Sequence, residues 1–178
     1  MFIKRKYPST RLRRLRKNSN LIDLVSETNL SSCDLIQPIF IKENFSGKED
    51  VKSMPGVSRF GIEDVLKEIE DIINSGINSI AVFPVIESSK KDSQGSEAIN
   101  IDNFISTSIK KIKNQFPELV LIADVALDPY TDHGHDGILK GEEIANDETV
   151  KILTEQSISL ADAGAEIIAQ PDIRNGRI

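Results

Sequence analysis

Tryptophan is missing from this sequence and cysteine nearly so, with Cys33 the single thiol. One cysteine cannot form an internal disulfide, which fits a reducing compartment and leaves stability to the packed core. Aromatic residues make up only 5 % of the chain, and no apolar run approaches the ~20 residues needed to cross a bilayer, so no membrane span is expected. The amino terminus lacks the apolar central region of a secretory signal. Acid is absent from the first 20 residues, which are rich in Arg and Lys, so an organellar transit segment stays open. The expected location is the cytoplasm.

What is present is an ordinary globular balance: 178 residues, 39 % hydrophobic and 28 % charged, long enough for one domain with a real core. The net charge of −6 hides an asymmetry. Lys4, Arg5, Lys6, Arg11, Arg13, Arg14, Arg16 and Lys17 form an uninterrupted positive run, so the remainder is strongly acidic. A basic run of this kind can bind nucleic acid or lie on the acidic surface of a neighbouring subunit. With Tyr7 its only aromatic beyond the start, and no zinc-finger or RNA-binding signature, solvation or subunit pairing is the reading preferred over nucleic acid.

Beyond the arm, taken as residues 1–33, a strand-then-helix grammar runs through 34–178. Strands are expected at Asp34–Ile41 (with Pro38 as a blemish), Ser79–Ile86, Val120–Leu127 and from Glu166 to Ala169. Helices are expected over Ile62–Ser75, with Val65, Ile69, Ile72 and Ile73 inward and Gly76 as the stop, and over Asn103–Phe116, capped by Asp102 and ended by Pro117. A third helix is expected over Glu148–Ala163, capped by Asp147, with Val150, Leu153, Ile158 and Ala161 inward. Four such units at intervals of roughly 40 residues predict a parallel α/β sheet, and the pattern leaves open sheet and half of a (β/α)8 barrel both possible. A polar loop, Glu87–Asn100, is longer than a tight connection needs and is a candidate functional segment.

The most informative stretch runs from Asp124 to Gly137, at the carboxyl end of a predicted strand, where α/β folds place their chemistry. It holds Asp124, Asp128, Asp132 and Asp136 together with both histidines, His133 and His135. Clustered carboxylates raise one another's pKa or gather a hard cation; the plainer reading is a solvated acidic loop. The whole pattern resembles the signature loop of the porphobilinogen synthases (5-aminolevulinate dehydratases). Arg13–Arg16, Met54–Gly56, Lys91–Ala98, Asn146–Thr149 and Ala161–Ala165 resemble that family's other stretches in the same order.

The resemblance implies a TIM (β/α)8 barrel fold, of which this chain supplies about the first four β/α units. It implies an enzyme of tetrapyrrole biosynthesis that condenses two molecules of 5-aminolevulinate to porphobilinogen. It also implies a homo-oligomer, usually an octamer, in which the amino-terminal arm embraces a neighbour. Zinc-dependent members carry cysteines where this chain has Ala126, Asp128 and Asp136. Carboxylates suit hard ions, so no catalytic zinc is expected and magnesium is the candidate, with Asp128 and Asp136 as its candidate ligands. Asp124, Asp128 and Asp136 are expected to line the substrate pocket, and His133 and His135 to brace the loop or touch substrate. The family's two Schiff-base lysines are expected beyond residue 178. Lys90, Lys91 and Lys140 lie in polar loops where solvation keeps an amine protonated. The end, Gln170–Ile178, also departs from the family, with Pro171 in place of a serine and Arg174 in place of a methionine. The chain alone is therefore expected to be inactive; the alternative is a non-catalytic partner that assembles with a full-length synthase.

Overall fold

A computed structural model describes residues 6, 8–10 and 13–170. Lys4, Arg5, Tyr7 and Arg11 of the basic run, and Pro171 and Arg174 of the altered end, lie outside the described residues. Contacts divide the chain into two compact units, Met1–Ser31 and Ser32–Ile178. In the first, a short helix α1 (Ser19–Leu24) begins where the Asn18 side chain accepts the Leu21 amide at 2.9 Å. None of its residues is buried.

The second unit is a six-stranded sheet backed by three helices. In chain order come β1 (Gln37–Lys42), β2 (Lys48–Asp50), β3 (Ser58–Phe60), α2 (Ile62–Asn74), β4 (Ser79–Val85), α3 (Phe104–Gln115), β5 (Val120–Asp124), a small hairpin of β6 (Leu139–Lys140) and β7 (Glu143–Ile144), α4 (Asn146–Asp162) and β8 (Ile167–Ala169). The sheet order is β2-β3-β1-β4-β5-β8. β1, β4, β5 and β8 pair in parallel, each beside its predecessor, with a helix filling each gap in the chain. This steady succession is the barrel type; a doubly wound sheet would reverse direction at a switch point.

The parallel strands bury the face that packs against the helices, while Pro38, Phe40, Ala81 and Phe83 on the opposite face are only partly covered or exposed. Ile39, Ile41, Ile80, Val82, Leu121 and Ala123 are all buried. Pro38 survives inside β1 because β3 reaches only Phe40 and Ile41, so Pro38 has a paired neighbour on one side only. β5 stops at Asp124, short of the predicted Leu127, because the chain turns: the Leu127 carbonyl accepts the amides of Tyr130 at 2.9 Å and Thr131 at 3.0 Å.

α2 and α3 bury the faces that their spacing predicts, including Val65, Ile69, Ile105, Ile109 and Ile112. Gly76 ends α2 at φ +89°, a conformation that costs glycine little. Three expectations need correction. α3 is capped by Asn103, whose side chain accepts the Ser106 amide at 2.8 Å, rather than by Asp102. α4 is capped by Ala145 without a side-chain bond, and Asp147 sits in its first turn. Its inward stripe is Thr149, Leu153, Gln156 and Leu160, while Ile158 is 57 % exposed and Ala161 also faces outward. The predicted stripe was out of phase because two inward positions are polar: Thr149 and Gln156 are buried for their hydrogen bonds. No described helix is long and apolar enough to cross a membrane.

Candidate active site

Asp124 is the last residue of β5, so the strand delivers its carboxyl to the carboxyl end of the sheet. From there the chain makes a closed loop in which several polar groups hold the loop's own shape. Buried Tyr130 and Thr131 anchor the return, and the Thr131 hydroxyl donates to the His135 carbonyl at 2.9 Å. Asp136 Oδ1 accepts the Leu127 amide at 2.6 Å and closes the ring. His133 Nδ1 accepts the His135 amide at 3.1 Å, so His133 braces the loop. On the far side, Gln156 Nε2 of α4 donates to the Ala126 carbonyl at 3.2 Å and pins the loop's base to the helix layer.

Held this way, Asp128 projects beside Asp124 into a cleft of about 290 Å³ at the carboxyl ends of β1, β4 and β5. Lys91 and Arg59 also line it, and Phe40 and Phe83, stacked with ring centroids 5.4 Å apart, supply an aromatic floor. Strand register explains the row: Arg59 pairs with Phe40, and Phe40 with Phe83, so the three sit side by side on neighbouring strands. Arg59 is not fully free to serve a ligand, since Glu49 lies 4.0 Å away.

The carboxyl groups differ in character. Partial desolvation pushes Asp128 above the ordinary carboxylate range, and the Asp136 charge adds to this; its own backbone amide and Lys91 oppose them. The Tyr130 hydroxyl is held protonated by complete burial, with only a hydrogen bond from Gln156 pulling the other way. Lys90 is drawn the opposite way from a nucleophile. Its hydrogen bond to the buried Glu43, at 2.5 Å, outweighs desolvation and raises its pKa, with Glu97 contributing. Lys140, on β6, is ion-paired with Glu148 in the first turn of α4.

Of the residues named from sequence, the cleft therefore gathers Asp124 and Asp128. Asp136 stands behind Asp128 as a hydrogen-bonded brace, and His133 and His135 are not among the cleft's lining. Among the described residues, no three His, Cys, Asp or Glu side chains come together as a set that could hold a metal ion. Asp136 Oδ1 is engaged by the Leu127 amide, so this oxygen holds the loop's shape. Lys91 and Arg59 were not singled out as site residues by sequence reasoning. For Lys91 the signal was the unusual length of its loop; for Arg59 there was none, because only strand pairing brings β3 alongside β1.

The sequence model of the family described as delta-aminolevulinic acid dehydratase matches residues 9–178. A delta-aminolevulinic acid dehydratase of Chlamydia pneumoniae is 46 % identical over 170 residues, covering 96 % of this chain and 51 % of the relative. Another, from Methanothermus sociabilis, is 43 % identical over 173 residues, covering 97 % and 53 %. The crystal structure of delta-aminolevulinic acid dehydratase (porphobilinogen synthase) from Toxoplasma gondii ME49, in complex with the reaction product porphobilinogen, superposes with a TM-score of 0.90 at 38 % identity. That match covers 94 % of this chain and 48 % of the Toxoplasma chain. The chain thus spans about half the length of these relatives. With an ordered β/α succession and an acidic cleft at its strand ends, it belongs to the delta-aminolevulinic acid dehydratase family, whose fold is the TIM barrel.

Proposed function

We propose that this chain supplies the carboxylate-bearing part of a porphobilinogen synthase site, in which two molecules of 5-aminolevulinate condense to porphobilinogen with loss of water. The observation that carries the reading is the charge layout of the cleft. Two carboxylates, Asp124 and Asp128, line one cleft with two cations, Lys91 and Arg59, and the stacked pair Phe40 and Phe83. 5-Aminolevulinate is a zwitterion with an ammonium at one end, a ketone carbonyl one carbon in from it, and two methylenes leading to a carboxylate at the other. Asp124 orients the ammonium, and the positive side chains favour the carboxylate. Asp128, pushed above its ordinary range, gives and takes protons as carbonyl and amine carbons rearrange. The imine-forming amines come from lysines outside residues 1–178. Aspartates at 128 and 136 make the site zinc-independent, and magnesium is tested as an added ion. The basic amino-terminal residues serve assembly with further copies of the enzyme.

The test is porphobilinogen formation from 5-aminolevulinate by the 178-residue chain, alone and with the remaining half of the barrel added as a second polypeptide. Magnesium is present or chelated, and borohydride trapping runs in parallel. The chain alone gives no product and no trapped adduct; the mixture gives product, which Asp128→Asn lowers by ~10²-fold or more. Turnover and a lysine adduct from the chain alone would overturn this division of labour. Stable association with a full-length synthase, without any gain in product, would favour the second reading, a non-catalytic partner. The exposed face of β8, with Ile167 at 47 %, is what such an association would cover.

A further inference from the structure

The cleft is built from two loops that leave different strands, and a single residue joins them. The loop after β4 carries Lys91, and the loop after β5 carries Asp128. Asp92 forms an isolated parallel bridge with Thr131 between them. Its amide donates to the Tyr130 carbonyl at 3.2 Å, and its carbonyl accepts the Asp132 amide at 3.1 Å. The same residue folds its own loop. Asp92 Oδ1 accepts the amides of Gln94 at 2.9 Å and Ser96 at 3.1 Å, which sets the 3-10 turn Ser96–Ile99. Gly95, at φ +63°, lies against the acidic loop, where an added Cβ would meet Leu127 Cδ2 at 3.4 Å in ordinary contact.

We propose that Asp92 is a positioning residue: its carboxylate shapes one loop and its backbone splices that loop to the other, so that Lys91 and Asp128 reach the cleft as one unit. Lys91 precedes Asp92 directly, and Asp128 lies two residues before Tyr130, whose carbonyl the bridge engages. The backbone that carries each side chain is held while the bridge stands. Its flanks are fixed as well: Lys90 is tied to the buried Glu43 just beyond β1, and Tyr130 and Thr131 are fully packed. The bridge carries two backbone hydrogen bonds between the two loops, beside the packing of Gly95 on Leu127. The assignment of a functional role rests on the cleft being the reactive site; the mechanical coupling does not.

Native-state amide exchange on the 178-residue chain tests it. The amides of Asp92, Gln94, Ser96 and Asp132 exchange through one shared opening. Asp92→Ala speeds all four by about tenfold or more, including Asp132 in the partner loop, while amides of β4 and β5 keep their rates. Asp92→Asn retains an Oδ1 acceptor and stays within about threefold of the native rates. Acceleration confined to Gln94 and Ser96 would reduce Asp92 to a local turn-former and overturn the proposal; so would acceleration of every core amide in step. Should Asp92→Ala fail to fold, the denaturant dependence of the four amides in the native chain decides, since unequal slopes mean separate openings. Added 5-aminolevulinate distinguishes the two layers: a shared opening that the substrate leaves unslowed sinks the active-site reading and leaves the coupling standing.

Discussion

Two aspartates in adjoining loops are driven in opposite directions by their surroundings, and their contributions to stability therefore have opposite signs. For Asp128, desolvation and the Asp136 charge raise the folded-state pKa, so the folded chain holds that proton more tightly than the unfolded chain. Its penalty is absent below the ordinary carboxylate range and grows as pH rises through the folded value. Asp128→Asn accordingly raises Tm at neutral pH. The rise is no more than ~2–4 °C, about what 1 kcal/mol gives in a chain of this size, because solvent screens the group. The gain closes as the melt is repeated at acid pH, and a constant gain would contradict the account. For Asp92, partial burial pushes up, but the amides of Ser96, Gln94 and Gly95 outweigh it and hold the carboxyl below its ordinary value. Its stabilisation is complete above the unfolded pKa and lost as pH falls through the depressed folded one. A nitrogen-shift titration of the Gln94 and Ser96 amides should have its midpoint below ~3.9, the ordinary aspartate value. At this scale Asp124 and Asp128 were legible as strand-end acids, whereas Asp92 was not, since its role lies in backbone bonds to Tyr130 and Asp132, far along the chain.

At the scale of the element, helices were readable where their buried faces are purely apolar and misread where they are not. α3 shows the first case: Ile105, Ile109 and Ile112 follow helical spacing and all are buried. Its start is held by Asn103, itself buried, whose side-chain amide also donates to the carbonyl of Glu97 at 3.2 Å. Asn103→Ala removes the cap and leaves buried backbone groups unpaired, so chemical denaturation should register a loss of ~1–2 kcal/mol. Asp102→Ala, one residue earlier, should change little. α4 shows the second case. Thr149 takes the Ile138 amide at 3.0 Å, and Gln156 donates to Ala126, so polar residues occupy the inward stripe. Hydropathy reads such positions as outward, which shifted the predicted stripe onto Ile158. The β6–β7 hairpin was missed because strands of two residues leave no alternation to detect.

Across the whole molecule, the described sheet has two open edges, β2 and β8. β2 is three residues long and carries Lys48, Glu49 and Asp50, which discourages edge pairing. β8 is an apolar edge, Ile167–Ala169, with Ile158 of α4 also exposed. The 178-residue chain should therefore bind hydrophobic dye and sediment as concentration-dependent oligomers, and Ile167→Lys should reduce both signals. A sharp melt, a monomer at every concentration and no dye binding would show that this edge is satisfied within the chain.

The sequence by itself determined the class of fold, the order and nature of the main strands, two of the three major helix faces, and the strand end at which the acidic cleft lies. Those features are local: they follow from the period of apolar residues, from turn-forming glycine and proline, and from acids that cluster within one short segment. Only the tertiary structure decided that Asp136 braces while Asp128 faces the cleft, and that Lys91 and Arg59 join them. It also decided that Asp92 holds two loops together. Each of these depends on which strand lies beside which and on where a backbone amide finds its acceptor. Such pairings are formed between distant parts of the chain and leave no trace in the spacing of residues along it.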